Sequence, residues 1–204
     1  MSGRELIAAY KIWLLFGALA EVVTGTGFGR CPAYPSLPNF DAQRMTGIWY
    51  EVERSFYLVE IAASCTRLNV TLNDRGYFQI TVDSVNRWTG SQSTSYGIGI
   101  PSYNGSSVFR YKLNNRMPYL IGRLLPGAGQ YNILFTDYDQ FALVWSCSSV
   151  SLAHSDRIWV LGRKQEIEAD VRVQIYAIMQ ELRLDPDRLF ISKNTNCTDS
   201  LEAE

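Results

Sequence analysis

The sequence predicts an all-β fold, an antiparallel sandwich or barrel of eight strands with one helix covering its outside. Three observations predict it. Short runs rich in β-branched and aromatic residues recur at regular spacing, with turn residues between them. Two of these runs, residues 131–135 and 141–145, flank a polar link in which Asp137 and Asp139 supply turn chemistry, so they read as a hairpin. Helical periodicity occurs once, late in the chain.

The chain opens on an apolar run, IWLLFGALA at residues 12–20, too short to span a bilayer. Arg4 and Lys11 precede it and the small residues Ala18 and Ala20 lie at its end, which predicts an export leader over residues 1–27, cleaved after a residue between 20 and 27. A buried N-terminal helix is the alternative. Gly25, Gly27 and Gly29 argue against it, because they read as a flexible stretch that a core helix does not need. Residues 31–204 then form a single domain, an ordinary size for one core at 47% apolar composition.

Three prolines, Pro32, Pro35 and Pro38, make the next segment an extended arm, since proline lacks the donor that helix and central strand need. Residues 47–54 alternate as the first strand, with Trp49, Glu51 and Glu53 on one face and Tyr50 and Val52 on the other. Further strands are predicted over residues 65–73, 77–88, 93–101 and 107–113, then in the hairpin, then over 156–162. Ile167, Val171, Ile175, Ile178 and Leu182 recur at helical spacing. Glu166, Glu168 and Asp170 sit where carboxylates favour a helix start, and Pro186 is read as its end.

Four cysteines, Cys31, Cys65, Cys147 and Cys197, in an exported chain predict two disulfides, with three pairings open. No C-x-x-C spacing occurs and His154 is the single histidine, read as an exposed loop residue, so no metal site is expected. The sequons at Asn69, Asn104 and Asn196 agree with export. With 19 basic against 20 acidic residues the net charge is −1, which provides no electrostatic footprint for nucleic acid. There is no Gly-x-Ser-x-Gly elbow, phosphate loop or dinucleotide fingerprint, so neither an enzyme nor a cofactor is expected.

Three stretches, in order, resemble the sequence motifs of the lipocalin family: Gly47-Ile48-Trp49-Tyr50-Glu51, Thr136-Asp137-Tyr138, and Arg163 after Trp159-Val160-Leu161-Gly162. Within the family the chain is similar to the apolipoprotein D-like group, which includes insect Lazarillo-type and bilin-binding proteins; Phe141-Ala142-Leu143-Val144-Trp145-Ser146-Cys147 and His154-Ser155-Asp156-Arg157-Ile158 carry that likeness. The resemblance implies an eight-stranded up-and-down barrel and selects the pairings Cys31 with Cys147 and Cys65 with Cys197. One departure stands out, a segment at 115–129 longer and more apolar than the family leads one to expect.

Strand parity provides a physical check. In an up-and-down barrel the start of strand one, the turn after strand six and the end of strand eight share one rim. Gly47, Trp49, Thr136, Asp137, Tyr138 and Arg163 would meet there, with the guanidinium stacked on the Trp49 indole to close that end.

The function implied is burial of a small hydrophobic molecule, such as a fatty acid, sterol or other lipid, inside the barrel. A bilin or carotenoid carrier is the alternative, and a lipocalin-type enzyme stands behind both. Alternation turns Trp159 and Leu161 inward, and the resemblance implies that Trp159 is a wall aromatic and that Val70 stands where one can occur. Glu51 and Glu53 are expected inward beside Trp49, where each needs a partner, with nearby tyrosines or Arg163 as candidates for Glu51. At the opposite rim, residues 56–61 and 117–125 are apolar, which suggests a lid or a surface that touches lipid or membrane.

Overall fold

The computed structural model describes residues 26–56, 60–113, 129–150, 152–194 and 197. Residues 1–25 of the predicted leader, residues 57–59 of the first apolar mouth stretch, all of the second at 117–125, and Asn196 lie outside them. The strands are β1 (Thr26–Phe28), β2 (Gly47–Ser55), β3 (Ala63–Leu72), β4 (Phe78–Asn86), β5 (Gln92–Pro101), β6 (Val108–Leu113), β7 (Gly129–Thr136), β8 (Phe141–Val150), β9 (Ala153–Gly162) and β10 (Leu189–Ile191). The helix α1 spans Ala169–Glu181. Each of β2 to β9 pairs antiparallel with its neighbour in sequence, and β9 returns to β2 through Tyr50 with Gly162 and Arg54 with Trp159, closing an eight-stranded barrel.

Alternation builds two cores. Ala142, Val144 and Leu161 point into the barrel beside Trp49, Phe78 and Phe109. Their neighbours Phe141, Leu143, Trp145, Ile158 and Val160 point out and meet Val171, Ile175 and Met179 of α1. Each such buried side chain contributes roughly 1.5–3 kcal/mol of apolar transfer, so the helix is held by its stripe and not by intrinsic propensity. Glu53, only 1% exposed, adds a polar clamp by accepting from Arg172 Nε at 2.5 Å and the Tyr176 hydroxyl at 2.9 Å.

The extended arm solves its backbone problem with side chains. The Asn132 amide donates to the carbonyls of Tyr34 and Pro35, and Ser107 accepts from the Leu37 N–H and donates its own N–H to Ser36 Oγ of the arm. A disulfide joins Cys31 to Cys147 of β8. The tail does more than cover a wall. Beyond Tyr50, β2 parts from β3, and β10 pairs with Glu53, Arg54 and Ser55 in the gap. Ser192 N–H donates to the Val52 carbonyl, Cys65 N–H to the Lys193 carbonyl, and Cys65 is bonded to Cys197.

Three local expectations are corrected. The glycine stretch is not a flexible linker, because Thr26–Phe28 pairs with β9 at Ala153 to Ser155. Gly27 lets the strand approach His154, since a Cβ would lie 2.7 Å from its ring, and His154 is a partly buried strand residue. The helix ends at Glu181, with Leu182 as its cap, and not at Pro186: Arg183 adopts φ 59°, and Leu184 N–H returns to the Met179 carbonyl. Strand β4 stops at Asn86, whose side chain accepts from the amides of Trp88 and Thr89 to make the turn.

Candidate functional site

One end of the barrel is sealed by the three motif stretches. The Arg163 guanidinium lies 3.7 Å from the centre of the Trp49 ring. Its nitrogens donate to four carbonyls, those of Tyr138, Thr46, Ile48 and Arg44, at 2.8–3.0 Å. Those carbonyls belong to the entry of β2 and to the β7–β8 turn, so one side chain pins both. Gly47 sits at φ 99° against that guanidinium, a conformation and a space that suit glycine. Thr136 and Asp137 build the turn: Thr136 Oγ1 accepts from Tyr138 N–H, and Asp137 Oδ1 accepts from the amides of Asp139, Gln140 and Phe141. Tyr138 turns back at φ 69° and its hydroxyl accepts from Asp41 N–H. Trp49 is fully buried and donates to the Met45 carbonyl.

Above this floor lies a cavity of about 270 Å³. Its lower part is apolar, formed by Met45, Trp49, Val70, Phe109, Ile133 and Leu161. Higher up, Tyr131 stacks on Trp159 with ring centres 5.6 Å apart and meets Tyr111 edge-on at 5.4 Å. Two glycines on β5 make room for the β6 aromatics. A Cβ at Gly97 would fall 2.1 Å from the Tyr111 hydroxyl, and one at Gly99 would fall 2.9 Å from Phe109. Gly97→Ala should therefore drive Tyr111 into the cavity, costing about 1–3 kcal/mol by overpacking. Urea midpoints will show the loss, and adding Tyr111→Leu to the same chain should recover most of it.

The polar residues gather toward the open end. Arg54 donates to Glu51 Oε1 and to the carbonyls of Glu60 and Ala63. Glu51 also accepts from Ser192 Oγ at 2.7 Å. Glu60 Oε2, Thr66 Oγ1 and the Tyr111 hydroxyl are buried without a hydrogen-bond partner. Burial holds the Glu60 carboxyl above its ordinary 4.5, reinforced by the Glu51 charge and opposed by Arg54, Arg157 and a hydrogen bond from Trp159. Burial likewise pushes the Tyr111 phenol up to about 12.

A pH dependence follows from Glu60. A carboxyl with a raised folded value binds more protons folded than unfolded, so its contribution is full below 4.5 and is lost as pH rises through the folded value. Relative to Glu60→Gln, the native chain should lose stability across that window. Parallel denaturation curves for the two proteins would reveal no divergence if Glu60 were fully solvated.

Among the expected lining residues, Trp159, Leu161, Val70 and Glu51 face the cavity together. Glu53 does not. The β2–β9 register shifts between Glu51 and Glu53, so Val52 and Glu53 both turn toward the helix side and Arg54 returns to the lumen. The expected partners of Glu51 are replaced for the same reason by Arg54 and Ser192. Arg54, Glu60, Thr66, Tyr111 and Tyr131 were not singled out from the sequence. The Gly97 and Gly99 spacing was an available signal for the aromatics; nothing local marked the bulge.

The chain matches no family model. Apolipoprotein D of Cavia porcellus is 30% identical over 196 residues, spanning 92% of this chain and 95% of that protein. Apolipoprotein D of Oryctolagus cuniculus is 29% identical over 93% of this chain and 98% of that protein. Insecticyanin from the tobacco hornworm Manduca sexta superposes with a TM-score of 0.69 at 16% identity, over 83% of this chain and 89% of that one. With the motif residues assembled at one rim and these relatives matching nearly end to end, the chain belongs to the lipocalin family, in its apolipoprotein D-like group.

Proposed function

We propose that this chain is an exported carrier that holds one small hydrophobic molecule in the barrel by burial and carries out no reaction on it. The observation that carries the proposal is the cavity itself, sealed below by Trp49 and Arg163 and walled by aromatic and aliphatic side chains. Its lining supplies no nucleophile with a base: the described cysteines are all in disulfides, and His154 lies against Gly27 outside the lining. Two disulfides support an oxidising destination. Among the described residues no helix is long and apolar enough to cross a membrane. Asn69 and Asn104 are exposed and open to glycosylation. Because β1 begins at Thr26, leader cleavage nearer Ala20 keeps that strand in the mature chain.

Native mass spectrometry of protein purified from its source tests the proposal. A co-purifying small apolar mass supports it, and an empty barrel that also fails to take up pyrene opposes it. An absorption band in the visible would instead select the bilin or carotenoid carrier.

Ligand exchange is proposed to occur at a lipid surface. By register the β4–β5 and β8–β9 turns, β1 and β10 all lie at the open rim, and Trp88, Leu152, Phe28 and Ile191 are exposed there. Trp88→Ser with Leu152→Ser should slow uptake of pyrene from phosphatidylcholine vesicles and leave uptake from solution unchanged. Equal slowing from both sources would count against vesicle contact.

A further inference from the structure

We propose that the cavity selects a neutral amphiphile ending in an alcohol, held with its hydrocarbon end on the Trp49 floor and its hydroxyl between Glu60, Tyr111 and Thr66, and that it discriminates against carboxylates. The inference rests on the carrier reading above and names the class of molecule carried.

Polarity is unevenly distributed along the cavity. The floor and lower walls are apolar, Glu51 sits midway along β2, and Arg54, Thr66 and Tyr111 lie in the open-side halves of β2, β3 and β6, with Glu60 on the loop after β2. A molecule with one polar end therefore has one favoured orientation, polar end toward the mouth.

The chemistry of that end follows from what is already paired. Arg54 is the cation in the described lining, and its guanidinium is spent on Glu51 and on the carbonyls of Glu60 and Ala63. Glu51 is in turn held by Arg54 and Ser192. A ligand carboxylate would enter beside two acidic side chains with no uncommitted cation in the wall, the arrangement that buried charge tolerates least. Arg157 also acts on Glu60 and is not among the residues that line the cavity.

What remains unpartnered is complementary to a hydroxyl. Tyr111 and Thr66 are each 8% exposed, line the cavity, and carry hydroxyls without a hydrogen-bond partner. Glu60 Oε2 is buried and unpartnered as well. An alcohol both donates and accepts, so it can donate to Glu60 or Thr66 while accepting from Tyr111. Leaving such groups unmade costs more than making them gains, which is the source of selectivity. An alkylammonium would satisfy Glu60 but leave the Tyr111 donor without an acceptor, and the burial that raises the Glu60 carboxyl opposes a second charge there.

The test displaces pyrene from the delipidated, full-length mature protein at neutral pH with hexadecanol, hexadecanoate and hexadecylamine. Hexadecanol should displace at a concentration about tenfold or more below the other two, the size of one well-made buried hydrogen bond against one left unmade. Tyr111→Phe should weaken hexadecanol by about three- to tenfold more than it weakens pyrene, because only the alcohol uses the phenol hydroxyl. Glu60→Gln keeps an acceptor and removes the charge, so it should improve hexadecanoate by about fivefold while holding hexadecanol within about twofold. Hexadecanoate or hexadecylamine binding as well as hexadecanol overturns the inference while the carrier reading stands, and so does a Tyr111→Phe chain that binds hexadecanol normally. Failure of pyrene to bind at all brings down the carrier reading itself.

Discussion

Arg163→Ala is expected to destabilise the protein by about 3–5 kcal/mol, the largest effect of any single substitution at the closed end. The side chain packs on Trp49 and satisfies four backbone carbonyls from two separate segments. Stacking alone is worth about 0.5–2 kcal/mol, so most of the loss comes from carbonyls left without donors and from water reaching a fully buried indole. Burial lowers Arg163 from its ordinary value while Asp139 and Asp137 act in the opposite direction. An arginine in this setting keeps its charge at any ordinary pH, so the loss should be nearly the same at pH 6 and pH 8. Urea denaturation followed by tryptophan fluorescence measures it. Arg163→Lys should recover only a small part, because a single ammonium cannot serve the same fan of acceptors or stack as a plane. A midpoint unchanged from the native protein would mean that the seal is held by other contacts.

Removing the second disulfide by Cys65→Ser with Cys197→Ser is expected to cost about 3–5 kcal/mol. The bond spans 132 residues and so restricts the unfolded chain strongly. It also anchors the tail that fills the gap between β2 and β3. Loss of that anchor should expose the bonds from Asn194 Nδ2 to the Glu51 carbonyl and from Ser192 Oγ to Glu51, both of which brace the polar end of the cavity. Hydrogen exchange should accelerate at residues 189–194 before it does at β7 or β8. Uniform acceleration across all strands would show that the disulfide acts through the unfolded chain alone.

Much of this was legible from pattern because period-two alternation is a local property that a barrel preserves. Trp49, Trp159 and Leu161 face inward as the alternation predicts, and the motif stretches meet at one rim as parity requires. The pairing of cysteines came only from resemblance, since spacing left three possibilities. What pattern could not reach depends on distant partners. The bulge that turns Glu53 outward is stabilised by Arg172 and Tyr176 of α1 and by a tail whose Ser192 lies 141 positions after Glu51. Gly27 read as a linker residue because the His154 ring it packs against lies far along the chain. Glu60 sits in a loop, where no period assigns a direction, and its importance depends on a burial that only the closed barrel creates.

The inserted tail also constrains the order of events in folding. Barrel closure pairs Tyr50 with Gly162, and the gap beside β2 is filled only when Leu189–Ile191 has arrived. A chain emerging from the ribosome or a translocation pore therefore cannot complete its barrel until nearly all of it is available. Until then β2 and β3 present unpaired edges, which are templates for pairing with other chains. Folding should accordingly be slow, as high contact order dictates, and dependent on an oxidant that can join Cys65 to Cys197 after the strands have met. Chains interrupted before residue 189 should accumulate as aggregates and not as smaller folded barrels.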